Sequence, residues 1–295
     1  MQFLSYLCTV KSIVRDIQSR LEAAYDADEA EGLAWWVAEE ITGLSRAEII
    51  YNAGVSKLFE QKIEEVIERL LRHEPVQYVF GHTLWNGLDL KVTPATLIPR
   101  PETAELVEKI GKNYELQITN YELQNTHLKV LDIGTGSGCI AIALKKAHPE
   151  WEVTGIDISA EAIEVARKNA VRNGVEVAFE VADIFSKVIP ESAISNQLFD
   201  IVVSNPPYIC EKEKNSMESN VLDYEPGTAL FVPDEDPLLF YRRIAELKAG
   251  RFLFFEINEA YGAEVAQLLC EKGYTDVQII QDMYGKDRIV TCRMA

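Results

Sequence analysis

The residues with the most specific chemistry in this 295-residue chain are Asn205-Pro206-Pro207-Tyr208, which follow directly on the apolar run Asp200-Ile201-Val202-Val203-Ser204. Two successive prolines cannot continue a strand, because neither has an N–H to give to the ladder. They predict a stiff loop at the strand's end. Such a loop carries two neutral acceptors, the Asn205 side-chain oxygen and the Pro206 backbone carbonyl. Aimed at the two hydrogens of an NH2 group, they would hold a planar amide or amino nitrogen. They would also favour the tetrahedral geometry it must reach before its delocalised lone pair can attack. Tyr208 would stack on the flat group. No strong base is needed, since the nitrogen becomes acidic once it is substituted, and the rate would come from orientation and fixed dipoles. Asn205, Pro206 and Tyr208 are therefore the candidate catalytic residues, and Asn205, Pro206, Pro207 and Tyr208 the candidate substrate loop. The plain alternative is a turn that merely ends a strand.

The electrophile has its own signature upstream. Asp132-Ile133-Gly134-Thr135-Gly136-Ser137-Gly138 ends an apolar run and opens an amphipathic one. Glycines there let the backbone turn sharply and come close to a ligand. The spacing is G-x-G-x-G, not the G-x-G-x-x-G of dinucleotide folds, whose helix N-terminus holds a pyrophosphate. A negative Asp132 beside the loop suits a cationic amino group and sulfonium better than a phosphate. Asp157, at the end of the next apolar run, would accept from both hydroxyls of a ribose. Asp183 and Ile184 follow a third run and would meet an adenine amine and ring. Singly, Asp157 reads equally as a helix cap and Asp183 as a turn residue. In order, at successive strand ends, they point to S-adenosyl-L-methionine, with S-adenosyl-L-homocysteine as product, bound by Asp132, Gly134, Thr135, Gly136, Ser137, Gly138, Asp157, Asp183, Ile184 and Asn205.

No metal is expected. The four histidines, His73, His82, His127 and His148, form no i, i+4 pair, and the five cysteines form no C-x-x-C. Odd, widely spaced cysteines also fit a reducing, cytoplasmic setting better than a disulfide framework. The N-terminus carries no basic, apolar and small-residue succession of a secretory signal.

These loops need a scaffold. From Leu128 onward, short apolar runs alternate with amphipathic helices, which predicts an α/β fold with a doubly wound, mostly parallel sheet. Residues 1–75 read as a small helical domain, with breaks at Asn52-Ala53-Gly54 and with Trp35 and Trp36 in its core. Residues 76–110 read as a linker: a β-hairpin over Val76–Val92 turning at Asn86-Gly87, then a proline-rich stretch, then a helix from Glu102 to Ile110. Residues 111–295 form the remaining domain. It opens on an extended connection over 111–127, where Asn113-Tyr114-Glu115-Leu116-Gln117 recurs as Asn120-Tyr121-Glu122-Leu123-Gln124. The net charge of −18 makes naked nucleic acid a poor default partner, and it reads equally as a device for solubility and as a surface for a basic protein. No apolar run is long enough to span a membrane.

The motifs together resemble the HemK/PrmC family of peptide chain release factor N5-glutamine methyltransferases. The resemblance lies in His73-Glu74-Pro75-Val76-Gln77-Tyr78, Gly81, Pro94 to Thr103, the glycine loop, Asn205 to Ile209, Glu225-Pro226 with Ala229-Leu230, and Asp287-Arg288. It implies a class I, Rossmann-like S-adenosylmethionine methyltransferase with a small N-terminal helical domain and a β-hairpin linker. It implies methyl transfer to the glutamine of the Gly-Gly-Gln motif in class 1 release factors. Separately, the acidic character of the N-terminal region suggests that this domain docks the release factor, and the protein is expected to act as a monomer. By position, Arg100 and Thr103 would support the pocket rather than touch substrate. The position of Ile184 is often aromatic in relatives, and the 113–124 duplication departs from the family pattern. Two alternatives stay open. One is a DNA amino-methyltransferase acting on a flipped adenine or cytosine. The other is a non-catalytic S-adenosylmethionine-binding scaffold.

Overall fold

The structure is a computed structural model, and it describes residues 10–51, 59–118, 127–186 and 199–295. The chain divides into two compact units, residues 1–81 with 219–224, and residues 82–218 with 225–295. Residues 76–81 of the expected linker fall in the first unit and 82–110 in the second.

The first unit is helical: α1 (Val10–Leu21), α2 (Ala27–Thr42), α3 (Arg46–Tyr51), α4 (Glu60–Leu70) and α5 (Val76–Phe80). Asp26 caps α2 by accepting from the amides of Asp28 and Glu29, and Gly43 ends it in the left-handed region. Ile17 and Leu21, Ala30, Ala34 and Val37, and Ile63, Ile67 and Leu70 repeat at helical spacing and close into one apolar core. Trp35 and Trp36 sit at the edge of that core, half-buried. The expected break at 52–54 lies outside the described residues.

The second unit opens with the hairpin β1 (His82–Trp85) and β2 (Leu88–Lys91). Asn86 and Gly87 have φ 47° and 72°, as a type I′ turn requires. This hairpin is shorter than the sequence pattern predicts. Residues 76–80 alternate like a strand, but Pro75 presets the backbone before them and Gly81, at φ 76°, closes a single helical turn behind them. The helix expected over 102–110 also differs: α6 runs Pro101–Ile118, so the first copy of the duplication is helical rather than extended. Gly111 does not stop it, and helix-forming residues carry it on. The second copy lies outside the described residues.

Then follow β3 (Lys129–Ile133), α7 (Cys139–Ala147), β4 (Glu152–Asp157), α8 (Ala160–Arg172), β5 (Ala178–Val181), β6 (Phe199–Ser204), β7 (Ile209–Cys210), α9 (Ser219–Tyr224, which belongs to the first unit), β8 (Phe231–Val232), α10 (Leu239–Leu247), β9 (Gly250–Glu256), α11 (Gly262–Glu271), β10 (Tyr274–Gln281) and β11 (Asp287–Met294). The main sheet has seven strands in the order β10-β11-β9-β6-β3-β4-β5. β5, β4, β3, β6 and β9 are parallel, and β11 pairs antiparallel with both β9 and β10. Side chains alternate across it. Val130, Ile201 and Phe254 pack with α7 and with Leu106 and Ile110 of α6 on one face, while Leu131, Val202 and Phe255 pack with α10 and α11 on the other. The chain steps outward from β3 through β4 to β5, then returns to β6 on the other side of β3. Ligands in such sheets bind where the strand order reverses, at the carboxyl ends. No helix of the described residues is long and apolar enough to cross a membrane.

Candidate active site

The reversal point lies between β3 and β6, and the two motif loops leave from it side by side. Ile133 and Ser204, the last residues of these strands, are paired in register, and the Ser204 hydroxyl donates to the Ile133 carbonyl at 2.7 Å. The next residues, Gly134 and Asn205, therefore start their loops as neighbours. Both open onto a cavity of about 410 Å³, within the range of small-molecule sites.

Gly134, Thr135, Gly136 and Ser137 form one wall. The amides of Gly134 and Thr135 both donate to the Ile156 carbonyl at 2.9 Å, which folds the loop over the end of β4. Gly134 lines the cavity with φ +72°, and a side chain added there would meet no protein atom within 4 Å. Asp157 forms the next wall. Its carboxylate accepts from the Gly136 amide and the Ser159 amide, each at 2.9 Å, and burial raises its pKa. It is not the cap of α8: that is Ser159, which accepts from the Ala162 amide at 3.1 Å. Asp183 lines the cavity and also accepts from the Phe185 amide at 2.8 Å, so it is a turn residue as well. Ile184 lines the cavity beside it. Phe185 and Phe240 line it too, their rings edge to face at 5.3 Å. These aromatics were not singled out from sequence, because Phe240 reaches the site only through the packing of α10.

Asn205, Pro206 and Pro207 form the opposite wall, but three expected residues do not line the cavity. Asp132 is fully buried behind the loop. One of its oxygens accepts from the Thr135 hydroxyl at 2.7 Å, and the other has no hydrogen-bond partner among the described residues. Burial pushes its pKa up to about 7. Gly138, at φ +81°, serves packing: a methyl there would lie 3.1 Å from Ala166, Ile142 and Phe179. Tyr208 turns its hydroxyl inward to Glu256 at 3.3 Å, and burial and that carboxylate raise its pKa.

The proline-rich segment closes the site. Arg100 lines the cavity and donates to Glu225 at 2.6 Å, while the Ile98 amide donates to the other Glu225 oxygen at 3.1 Å. Thr103 also lines the cavity; its hydroxyl donates to Glu256 at 2.7 Å and accepts from the Asn205 amide nitrogen at 3.3 Å. Glu256 was not singled out from sequence. The available signal was an acid ending the apolar run Phe252-Leu253-Phe254-Phe255, at a carboxyl strand end where burying a charge is expensive. Burial raises its pKa to about 6. Asn169, also missed, is fully buried and donates to the carbonyls of Lys91 and Ser137 at 2.9 and 2.8 Å, tying hairpin, α8 and glycine loop together. Among the described residues no cluster of His, Cys, Asp and Glu is placed to hold a metal ion.

Comparison with known proteins agrees with this geometry. A methyltransferase domain matches residues 124–274 and a PrmC N-terminal domain matches residues 12–81. A release factor glutamine methyltransferase of Bacteroides thetaiotaomicron is 43% identical over 282 residues, covering 93% of this chain and 96% of its own. That of Flavobacterium psychrophilum is 40% identical over 288 residues, covering 95% and 98%. The N-terminal domain of human METTL16, solved in complex with SAH, shares the fold alone, with a TM-score of 0.51 at 15% identity over 95% of this chain and 94% of that one. The seven-stranded architecture is thus the class I, Rossmann-like methyltransferase fold. With its glycine loop and its Asn-Pro-Pro-Tyr loop on adjacent strand ends, and with relatives this similar along nearly the whole chain, this protein belongs to the release factor glutamine methyltransferase family.

Proposed function

We propose that this protein transfers a methyl group from S-adenosylmethionine to the side-chain amide nitrogen of the glutamine in the Gly-Gly-Gln motif of class 1 release factors, acting in the cytoplasm as a monomer. The observation that carries this reading is the pairing of Ile133 with Ser204, which opens the glycine loop and Asn205 onto one cavity. The residues fit the donor. Gly134 leaves room where a side chain would intrude, Asp157 has lone pairs left for ribose hydroxyls, and Asp183 with Ile184 suits an adenine edge and face. Asp132 brings an uncompensated buried oxygen beneath the loop, and a cation above it would favour its ionised form. The donor supplies an electrophilic methyl group.

The protein's own part is positioning. Asn205 and the Pro206 carbonyl accept from the two amide hydrogens, and the stiff loop holds the nitrogen in line. Both acceptors are neutral, so they favour the developing positive charge on nitrogen without taking its proton beforehand. The first unit docks the release factor, and its acidic character suits a basic partner.

The test is mass spectrometry of release factors after incubation with the protein and isotopically labelled S-adenosylmethionine. One labelled methyl group on the Gly-Gly-Gln glutamine is the expected product. Label on duplex DNA, with the release factor unmodified, would move the substrate to a base amine.

A further inference from the structure

A carboxamide is nearly symmetrical in shape, so packing alone does not choose which end of Asn205 faces the substrate. Hydrogen-bond polarity does. Asn205 Nδ2 lies 3.3 Å from Thr103 Oγ1, Thr103 Oγ1 lies 2.7 Å from Glu256 Oε2, and the Tyr208 hydroxyl lies 3.3 Å from Glu256 Oε1. Thr103 and Glu256 are 2% and 1% exposed, so water does not stand in for either partner. A threonine hydroxyl has one proton, and an ionised carboxylate only accepts. The Thr103 proton therefore goes to Glu256, and Thr103 shows Asn205 a lone pair. That lone pair takes an N–H and repels an oxygen.

We propose that Glu256 and Thr103 are positioning residues whose one-way hydrogen-bond chain locks the Asn205 carboxamide with its oxygen toward the substrate amide. This rests on reading Asn205 as the acceptor for that amide. Volume does not require the charge, since glutamine would fill the same space at the end of Phe252-Leu253-Phe254-Phe255. What a carboxylate adds is two acceptors, one for Thr103 and one for Tyr208. Glutamine offers one acceptor and one donor: with its donor toward Thr103 it reverses the chain at Asn205, and with its donor toward Tyr208 it forces that hydroxyl to accept and leaves its proton without this partner.

The experiment measures methyl transfer to whole release factor, with S-adenosylhomocysteine affinity by calorimetry and Tm as controls. Glu256→Gln is expected to lower kcat/KM about 30-fold while the affinity for S-adenosylhomocysteine stays within about threefold. Thr103→Val is expected to lose a similar amount, and Thr103→Ser to recover most of it. The decisive arm reverses the polarity. In Asn205→Asp the single Thr103 proton lies between two carboxylates. Adding Glu256→Gln lets the glutamine donate to Thr103. The Thr103 proton then turns to the introduced carboxylate, whose second oxygen is left as acceptor for the substrate. The change that harms the native protein is thus expected to raise Asn205→Asp activity about tenfold. Loss in both backgrounds, or Thr103→Val within about threefold of native with an unchanged Tm, overturns the proposal. Asn205→Ala at near-native turnover would instead remove the reading of Asn205 on which the proposal rests.

Discussion

Two glycines four residues apart in one loop are predicted to fail in different ways when each is replaced by alanine. Gly134 and Gly138 both lie in the left-handed region, at φ +72° and +81°. An alanine held there costs about 1–2 kcal/mol at either site. Beyond that the sites diverge. At Gly134, which lines the cavity, the added methyl meets nothing within 4 Å, whereas at Gly138 it meets Ala166, Ile142 and Phe179 at 3.1 Å each. Overpacking of that kind adds about 1–3 kcal/mol, so Gly138→Ala should lose about 2–5 kcal/mol in all. For a catalytic unit of this size that is a fall in Tm of roughly 5–15 °C. Gly134→Ala should lose only a few degrees, yet bind S-adenosylhomocysteine at least about tenfold more weakly, a difference of about 1.4 kcal/mol. Differential scanning calorimetry and isothermal titration calorimetry on the two variants give both numbers. Native affinity in Gly134→Ala, or a native Tm in Gly138→Ala, would refute the division of the loop into a ligand-facing and a packing glycine.

Asn205→Ala should abolish detectable methyl transfer while leaving S-adenosylhomocysteine affinity within about tenfold, because it removes an acceptor for the amide and not the glycine loop; comparable turnover would discard the role given to that side chain. Stability should depend on pH through Asp132 and Glu256, whose pKa values burial raises to about 7 and about 6. A raised acid keeps its proton in the fold at pH values where the unfolded chain has released it. These groups therefore destabilise progressively as pH rises from about 4 through 7, by an order of a few kcal/mol in all. The ligand-free Tm should fall between pH 5 and 7, and Asp132→Asn should flatten that slope; equal slopes would reject the assignment. Arg100→Ala leaves Glu225 buried with only the Ile98 amide, and should lower Tm by a few degrees, an effect of about 2 kcal/mol, discounted because the arginine is partly exposed. For the docking role, Glu60→Lys with Glu65→Lys on α4 should raise KM several-fold for whole release factor and leave a short Gly-Gly-Gln peptide unaffected; equal effects on both substrates would reject docking by this unit.

What the sequence determined on its own is local in its physics. Glycines at positive φ, two prolines after a strand and an Asn-Gly turn restrict the backbone wherever they stand, so the glycine loop, the Asn205–Tyr208 loop and the hairpin turn were legible residue by residue. Alternating apolar runs and amphipathic stretches gave the order of strands and helices for the same reason. Boundaries set by weak competition were not legible: α5 in place of a strand, and α6 reaching Ile118. Only the tertiary structure decided which side chains share a hydrogen bond across the chain. Thr103 meets Glu256 over 153 residues, Arg100 meets Glu225 over 125, and Asn169 meets Lys91 over 78. It likewise withdrew Asp132, Gly138 and Tyr208 from the cavity wall, because strand register and helix packing, not position in the motif, determine which way each points. A buried charge is tolerable only with a partner, and that partner is chosen by the strand order of the sheet, a property that no short stretch of sequence contains.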